Sequence, residues 1–268
     1  MTDASEKNLK EFYDQSYSLG EEKVFTFLGD LLAEEIKYAS SQYDLSHCRV
    51  LEVGCGSGRF AAEIANNEGI EYLGIDFSKI AIQLSNDKKL GANFRFQERN
   101  LFDLDEKIGW DFIFAFGVLE HTTEPLDALK KLRILSKPAG KIILAVPNFL
   151  NPRGIIWMTL TTLFDVPMSL SDKHFIHPWD MQTWSEAARL FCRRLTTVDK
   201  DWAFGDKLLR DFRKRIPAAL TDAGMYDQSK VEDFFPYLDE LVSHISSNQD
   251  EDQTLEGATA LYELSINV

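Results

Sequence analysis

Residues 49–60, Arg-Val-Leu-Glu-Val-Gly-Cys-Gly-Ser-Gly-Arg-Phe, decide the fold of this chain. Their apolar run predicts a buried strand that ends at Val53, and an apolar-periodic helix is predicted to begin at Gly58. Gly54, Gly56 and Gly58 permit positive φ angles and the close approach of a ligand to the backbone. The free N–H groups at the start of the helix can donate hydrogen bonds to the same ligand. The stretch therefore predicts a ligand site where a strand passes into a helix.

An acidic residue, Asp76, ends the next predicted strand, Tyr72-Leu-Gly-Ile-Asp, 22 residues after Gly54. A carboxylate at that place can accept hydrogen bonds from both hydroxyls of a ribose. The glycine spacing is GxGxG, whereas the dinucleotide pattern GxGxxG would need a glycine where this chain has Arg59. A nicotinamide-dependent oxidoreductase is therefore a disfavoured alternative.

Strands and helices alternate around this motif. Apolar runs predict strands at 50–53, 72–75, 94–97, 111–116 and 141–146, and helical periodicity predicts helices at 58–67, 78–86 and 125–136. Several of the strands are apolar on both faces, which is typical of a parallel sheet covered by helices. The preference for right-handed crossovers then favours an α/β fold with a doubly wound, mostly parallel sheet.

The flanking regions are predicted to elaborate that sheet. We expect helix at 6–42, an irregular excursion over a pocket at 148–180, a helix at 180–191, a strand at 195–198, helices over 203–245 and a final strand at 259–266. We predict a single domain, residues 1–268, because no linker-like segment divides the chain. Within it, residues 1–45 form an N-terminal helical cap, 46–150 the cofactor-binding core, and 151–268 the substrate-side insertions and closing strands.

Composition restricts the class of protein and its partners. The 268 residues carry a formal net charge of −14 and are 44% hydrophobic, which disfavours disorder and general binding to nucleic acid or anionic membrane. The three cysteines lack a CxxC pair and indicate free thiols in a reducing compartment. The first residues lack the apolar core of a signal peptide. We expect a cytoplasmic protein with a small-molecule substrate, and its oligomeric state is not encoded in any pattern.

The motifs together resemble the class I S-adenosylmethionine-dependent methyltransferases. The segment 52–58 resembles the first motif of that family, Ile75-Asp76 its ribose-binding acid, Arg99-Asn-Leu-Phe102 its adenine contact, and Phe116–His121 the motif after strand four, with Lys137-Pro-Ala-Gly140 as the turn before strand five. The resemblance implies a seven-stranded sheet of order 3-2-1-4-5-7-6 and S-adenosylmethionine as cofactor. The cofactor-binding residues that it implies are Glu52, Gly54, Cys55, Gly56, Gly58, Asp76, Phe77, Asn100, Leu101 and Phe116.

His121 is the first candidate for a general base, because it follows the carboxyl end of the fourth strand, where such sheets bind ligands. Capping and packing of the following helix is the alternative reading of Glu120-His121. A similar ExVEH segment in the ubiquinone-type O-methyltransferases supplies a metal-binding Glu. Gly117 stands at that position here, so we expect no metal.

Other aromatic and histidine residues are candidates for the substrate side. His174 and His177 precede a helix in a region that resembles the substrate-facing segment of the family, although they can equally cap a turn. Tyr13 and Tyr17 lie at helical spacing and could cover the cofactor or simply pack. Trp157 and Trp179 could line a substrate pocket or belong to the core.

The sequence thus predicts methyl transfer from S-adenosylmethionine to an oxygen or nitrogen nucleophile of a small molecule by in-line displacement. Oxygen is preferred because His121 is available as a base. The alternatives are an N-methyltransferase acting on an amine or aminosugar and a non-catalytic S-adenosylmethionine-binding regulatory protein.

Overall fold

The computed structural model describes residues 10–11, 13–15, 17–18, 33–104, 109–166, 168–169, 172–247 and 256–266. The strands are β1 Arg49–Val53, β2 Glu71–Asp76, β3 Phe94–Glu98, β4 Trp110–Phe116, β5 Ser136–Pro147, β6 Leu190–Val198 and β7 Thr259–Ile266. From residue 34 onward, the described α-helices are α1 Glu34–Gln42, α2 Arg59–Glu63, α3 Lys79–Asp87, α4 Pro125–Leu135, α5 Pro152–Phe164, α6 Pro178–Ala187, α7 Lys200–Phe204, α8 Asp206–Asp222 and α9 Gln228–Ser247.

The strands form a seven-stranded sheet of order β3-β2-β1-β4-β5-β7-β6, which confirms the predicted order. The pairs β1–β2, β1–β4, β2–β3 and β4–β5 are all parallel. Strand order reverses between β1 and β4, and the carboxyl ends of the neighbouring strands form one edge of the sheet. In open α/β sheets ligands bind at this kind of edge, near the reversal.

The central strands are buried because their apolar side chains are covered by helices on the sheet faces. Val50, Phe60 and Phe114 are fully buried in a cluster that joins β1 and β4 to α2 and α1. The Phe60 and Phe114 ring centroids lie 4.5 Å apart. This packing fixes the position at which β1 ends and the glycine-rich loop begins.

Several predicted boundaries differ from the structure for local reasons. β5 begins at Ser136, earlier than the predicted residue 141, because its residues pair with β4 across a register shift between Trp110 and Phe112. β6 begins at Leu190 instead of 195, and α2 ends at Glu63 instead of 67. The irregular excursion predicted at 148–180 contains the 13-residue helix α5. Pro152 and Gly154 near its start argued against a helix in the sequence, although Pro is favourable in a first helical turn.

The chain divides into two compact units. The sheet unit comprises Met1–Val146, Pro178–Leu195 and Leu261–Val268, and the helical unit comprises Pro147–His177 and Thr196–Ala260. The predicted single domain with its three parts stays a prediction. Within the described residues, no helix has both the length and the apolar composition needed to span a bilayer.

The helical unit has its own core, built around Trp157. The guanidinium carbons of Arg153 and Arg215 lie 4.6 and 5.1 Å from the Trp157 ring centre. Both arginines donate hydrogen bonds to the buried carboxylate of Asp211, at 2.9 Å for the shortest contact of each. These ion pairs hold the pKa of Asp211 below its ordinary value, against the effect of burial. The arrangement satisfies buried charges that would otherwise be costly.

Candidate cofactor and catalytic site

The glycine-rich loop connects β1 to α2 with three left-handed residues. Gly54, Gly56 and Gly58 have φ angles of 71°, 51° and 76°. The N–H groups of Gly54 and Cys55 donate to Ile75 O of β2 at 2.8 and 3.0 Å, which anchors the loop to the neighbouring strand. Any other residue at these positions would be strained, because L side chains rarely adopt positive φ.

The space above the loop is also closed to side chains. A Cβ atom at Gly54 would lie 2.5 Å from Val118 Cγ2, and one at Gly56 would lie 2.7 Å from Tyr17 Oη. Cys55, between the two glycines, is buried and packs toward Gly74 of β2. The loop therefore presents bare backbone at Gly54 and Gly56, while the side chain of Cys55 packs toward β2.

Asp76 ends β2 beside this loop, as the sequence predicts, and its carboxylate is largely buried. Its Oδ2 accepts a hydrogen bond from Gly56 N at 3.0 Å, and its Oδ1 accepts one from Ser78 N at 2.8 Å. Burial raises the pKa of Asp76, and the N–H groups of Ser78 and Gly56 act in the opposite direction. Each carboxylate oxygen retains accepting capacity, which suits the two hydroxyls of a ribose.

Glu52 lies one residue before the end of β1 and is also buried. The Tyr72 hydroxyl donates a short hydrogen bond to Glu52 Oε2. Burial raises the pKa of Glu52 to about 8, with a smaller contribution from the nearby charge of Asp76 and an opposing one from Tyr72. A carboxyl group with this pKa is mostly protonated at neutral pH, so Glu52 is a neutral hydrogen-bonding group behind the loop.

We expect the raised pKa of Glu52 to make the protein less stable as pH rises. Between an unfolded-state value near 4.5 and the folded-state value of about 8, the folded chain holds a proton that the unfolded chain has lost. The free energy of unfolding then falls by up to about 1.4 kcal/mol per pH unit over that window. Glu52→Gln is expected to remove this part of the slope in urea unfolding measured from pH 5 to pH 8.

Glu71→Gln is the matched control, since Glu71 is an exposed acid on β2 that pairs with Arg49. It is expected to leave the slope unchanged, because exposed ion pairs contribute little. An unaltered slope in Glu52→Gln would show that Glu52 titrates normally.

Four described residues from the beginning of the chain contact the ligand edge. We call the described residues among 10–18 the N-terminal strap, and they are helical. Lys10 forms an ion pair with Glu98, the last residue of β3. Asp14 Oδ1 accepts a hydrogen bond from Ser78 Oγ at 2.6 Å, just after β2.

Two tyrosines of the strap reach the other strand ends. The Tyr17 hydroxyl lies over Gly56 after β1, and the Tyr17 side chain is buried. Tyr13 Oη lies 3.1 Å from His121 Nε2, and the Tyr13 ring meets Phe77 edge-on with centroids 5.5 Å apart. The strap therefore contacts residues at or just after the carboxyl ends of β3, β2, β1 and β4. The predicted N-terminal cap lies in part outside the described residues.

His121 belongs to the segment that leaves β4. Phe116 ends the strand and packs on Phe60 with ring centroids 5.3 Å apart. Gly117, at φ 64°, turns the chain into a short 3-10 helix, Leu119–His121, in which Glu120 is buried and the imidazole is half-buried. His121 is thereby brought beside Tyr13 and the strap, at the edge that the glycine loop shares.

The predicted adenine segment follows β3. Asn100 is exposed and its Oδ1 accepts a hydrogen bond from Phe102 N at 3.0 Å, which caps the short helix Leu101–Asp103. Leu101 is buried, and Arg99 N donates to Asp76 O at 2.9 Å. The segment is therefore tied to the end of β2, where Asp76 and Phe77 lie.

The remaining candidates belong to α5, α6 and the segment between them. His174 and His177 are half-buried residues of the helical unit, where the His177 ring lies 6.1 Å from that of Phe149. Trp157 is in the core of the same unit, and Trp179 is an exposed residue of α6 in the sheet unit. Their substrate-side roles stay predictions. Over the described ranges, no group of three or more His, Cys, Asp or Glu side chains is arranged to hold a metal ion.

Asp14 and Ser78 were missed by the sequence reading. Ser78 caps α3, with Oγ accepting from Ala81 N at 3.2 Å, and its place before an apolar-periodic helix is a recognisable signal. Asp14 lacks any such signal, because it meets Ser78 across 64 positions of sequence.

The residues of this edge fit S-adenosylmethionine. Gly54 and Gly56 offer bare backbone, Asp76 offers accepting oxygens to a ribose, and Phe77 with its aromatic ring follows directly in the chain. Chemically, an adenosine carries the ribose hydroxyls and the flat base that such groups recognise.

Comparisons with known proteins agree with that fit. The family described as "Methyltransferase domain" matches residues 51–142. The chain is 26% identical over 171 residues to the ubiquinone biosynthesis O-methyltransferase of Coxiella burnetii, across 61% of this chain and 72% of that protein.

Solved structures show the same fold. A chain from the complex of the Haloferax volcanii Trm112 methyltransferase activator with a methyltransferase has a TM-score of 0.61 at 14% identity, covering 96% of this chain and 98% of that one. Haemonchus contortus phosphoethanolamine N-methyltransferase 2, in complex with S-adenosyl-L-methionine, has a TM-score of 0.54 at 12% identity, covering 88% and 52%.

The fold and the glycine-loop site thus define a Rossmann-like, nucleotide-binding α/β protein. The family match, the relatives and the fold together support placing this chain among the class I S-adenosylmethionine-dependent methyltransferases. It is an enzyme, and its cofactor is S-adenosylmethionine.

Proposed function

We propose that this methyltransferase transfers the methyl group to a hydroxyl oxygen of a small molecule, with His121 as the general base. The observation that carries the proposal is the contact of 3.1 Å between His121 Nε2 and Tyr13 Oη at the carboxyl end of β4. An imidazole and a phenol in contact provide a path for a proton, which an alcohol or phenol acceptor must lose but a neutral amine need not lose before attack.

The cofactor supplies a methyl group that is already activated by the positively charged sulfur. The acceptor oxygen forms a bond to the methyl carbon, and the carbon–sulfur bond breaks with its electron pair remaining on sulfur. The acceptor's proton passes to His121, either at Nδ1 or through the Tyr13 hydroxyl to Nε2, depending on the tautomer. Tyr13→Phe separates these routes, because it abolishes the second and preserves the first.

The named relative supports oxygen as the nucleophile. It is an O-methyltransferase of ubiquinone biosynthesis, and the separate match to the methyltransferase-domain family, residues 51–142, includes the glycine loop and the His121 segment. Under the same proposal, Tyr13 and Tyr17 lie on the substrate side, and the substrate roles of His174, His177, Trp157 and Trp179 stay predictions. The predicted cytoplasmic location and the absence of a nucleic-acid partner belong to this proposal as well, and the free thiols of the described cysteines agree with a reducing compartment.

The test is to incubate the enzyme with S-adenosylmethionine carrying a ¹³C-labelled methyl group and a mixed set of phenols, alcohols and primary amines. The carbon chemical shift of the product identifies the atom that received the methyl group. We expect O-methyl products that disappear in Asp76→Ala. Products methylated only on nitrogen would overturn the choice of nucleophile.

A further inference from the structure

Asp14 makes one of the polar contacts between the strap and the cofactor edge. Its Oδ1 accepts from Ser78 Oγ at 2.6 Å and from Ile80 N at 3.4 Å, at the first turn of α3. A carboxylate is favoured there because the N–H groups of a helix start carry partial positive charge. Ser78 N in turn donates to Asp76 Oδ1 at 2.8 Å, so two bonds join Asp14 to the ribose-binding acid.

Tyr13 makes a second polar contact, with His121, and a third attachment of the strap, at Lys10, is weaker. The Lys10–Glu98 ion pair is about 40% exposed on both sides, and such pairs add little stability. The position of the strap therefore depends on the Asp14 contact together with the packing of Tyr13 and Tyr17.

Asp14 also stands between the two tyrosines that face the site. Tyr13 on one side contacts His121, and Tyr17 lies over Gly56. Releasing Asp14 from Ser78 would free both rings at once, since a single short segment carries all three residues. Ligand exchange at a covered loop requires such a release, because Tyr17 Oη occupies the space next to Gly56.

We infer that Asp14 is a positioning residue that fastens the N-terminal strap over the cofactor loop and so controls exchange of the cofactor and its demethylated product. It also sets Tyr13 against His121, and this second part rests on the proposed function. The ligand whose release it governs is S-adenosylhomocysteine at the end of a turnover.

The experiment measures the release rate of radiolabelled S-adenosylhomocysteine, chased with unlabelled ligand, from the full-length protein and its variants. Asp14→Ala is expected to speed release by about tenfold or more, because the substitution removes a hydrogen bond to a charged group. Asp14→Asn keeps an accepting oxygen and is expected to lie nearer the parent protein. Glu11→Ala removes an exposed acid of the same strap and should leave the rate unchanged.

A double-mutant cycle with Ser78→Ala distinguishes positioning from general damage. If the bond between the two side chains carries the effect, Asp14→Ala adds little in the Ser78→Ala background. Independent, additive effects of the two substitutions, or unchanged release in a folded Asp14→Ala protein, would overturn the inference. Should Asp14→Ala fail to fold, Asp14→Asn is compared with Ser78→Ala in the same way.

Turnover provides a second readout. Asp14→Ala is expected to lower kcat in the parent but to have little further effect in Tyr13→Phe, because Tyr13 is the group being positioned. Release of S-adenosylhomocysteine does not require an acceptor. The release rate can therefore be measured even if no O-methylation is found. The role of Asp14 in release and the proposed O-methylation are thus tested independently.

Discussion

Asp76→Ala is expected to weaken binding of S-adenosylmethionine by about 100-fold or more. The substitution removes a carboxylate that can accept from two ribose hydroxyls, and each hydrogen bond to a charged group is worth about 1.5–3 kcal/mol. It also releases Gly56 N and Ser78 N, whose bonds to Asp76 hold the loop in its ligand-ready shape. Calorimetric titration of the variant with the cofactor measures the change directly.

Two further variants give this prediction its controls. Asp76→Asn keeps one accepting oxygen and should lose less affinity than the alanine variant. Glu98→Ala removes the acid that ends β3 in register with Asp76. Glu98 is exposed, so this variant should change the affinity for S-adenosylmethionine by less than about threefold. Full affinity in a folded Asp76→Ala protein would exclude Asp76 from the ribose site.

His121→Ala is expected to lower kcat for an oxygen acceptor by about 100-fold to 10,000-fold, the usual range for loss of a general base. Cofactor affinity should change little, because the glycine loop and Asp76 remain. The comparison of kcat with the dissociation constant for S-adenosylmethionine therefore separates a chemical role of the imidazole from a structural one.

The other candidate histidines provide matched substitutions. His174→Ala and His177→Ala remove the same group from the helical unit and, if these residues only contact substrate, should change KM more than kcat. Equal turnover in His121→Ala and the parent would assign His121 to packing. A large loss of kcat in His174→Ala or His177→Ala would move the base to that segment.

Much of the fold could be predicted from the sequence because the patterns that indicate it lie within short stretches of the chain. The β1–glycine–α2 stretch, the acid ending β2 and the alternating strands are read from neighbouring residues, and the final strand was predicted with the bounds that β7 has. Helix α5 was missed because Trp157 faces a core while Ile155 and Leu163 are exposed, so the stretch lacks a clear polar face.

The parts of the site that depend on contacts between residues far apart in the sequence could not be predicted. The Tyr13–His121 contact spans 108 positions and the Asp14–Ser78 contact spans 64, and only the folded sheet brings these residues to one edge. The protonated state of Glu52 likewise follows from its burial in the folded sheet, with a smaller contribution from the charge of Asp76, and a linear motif does not express that burial.

The most direct test of the central claim is calorimetric titration of the purified, ligand-free protein with S-adenosylmethionine, S-adenosylhomocysteine and NAD in parallel. The site described above predicts micromolar or tighter binding of the first two ligands and none of NAD, because Arg59 stands where a dinucleotide loop needs glycine. Binding of NAD alone would contradict the account.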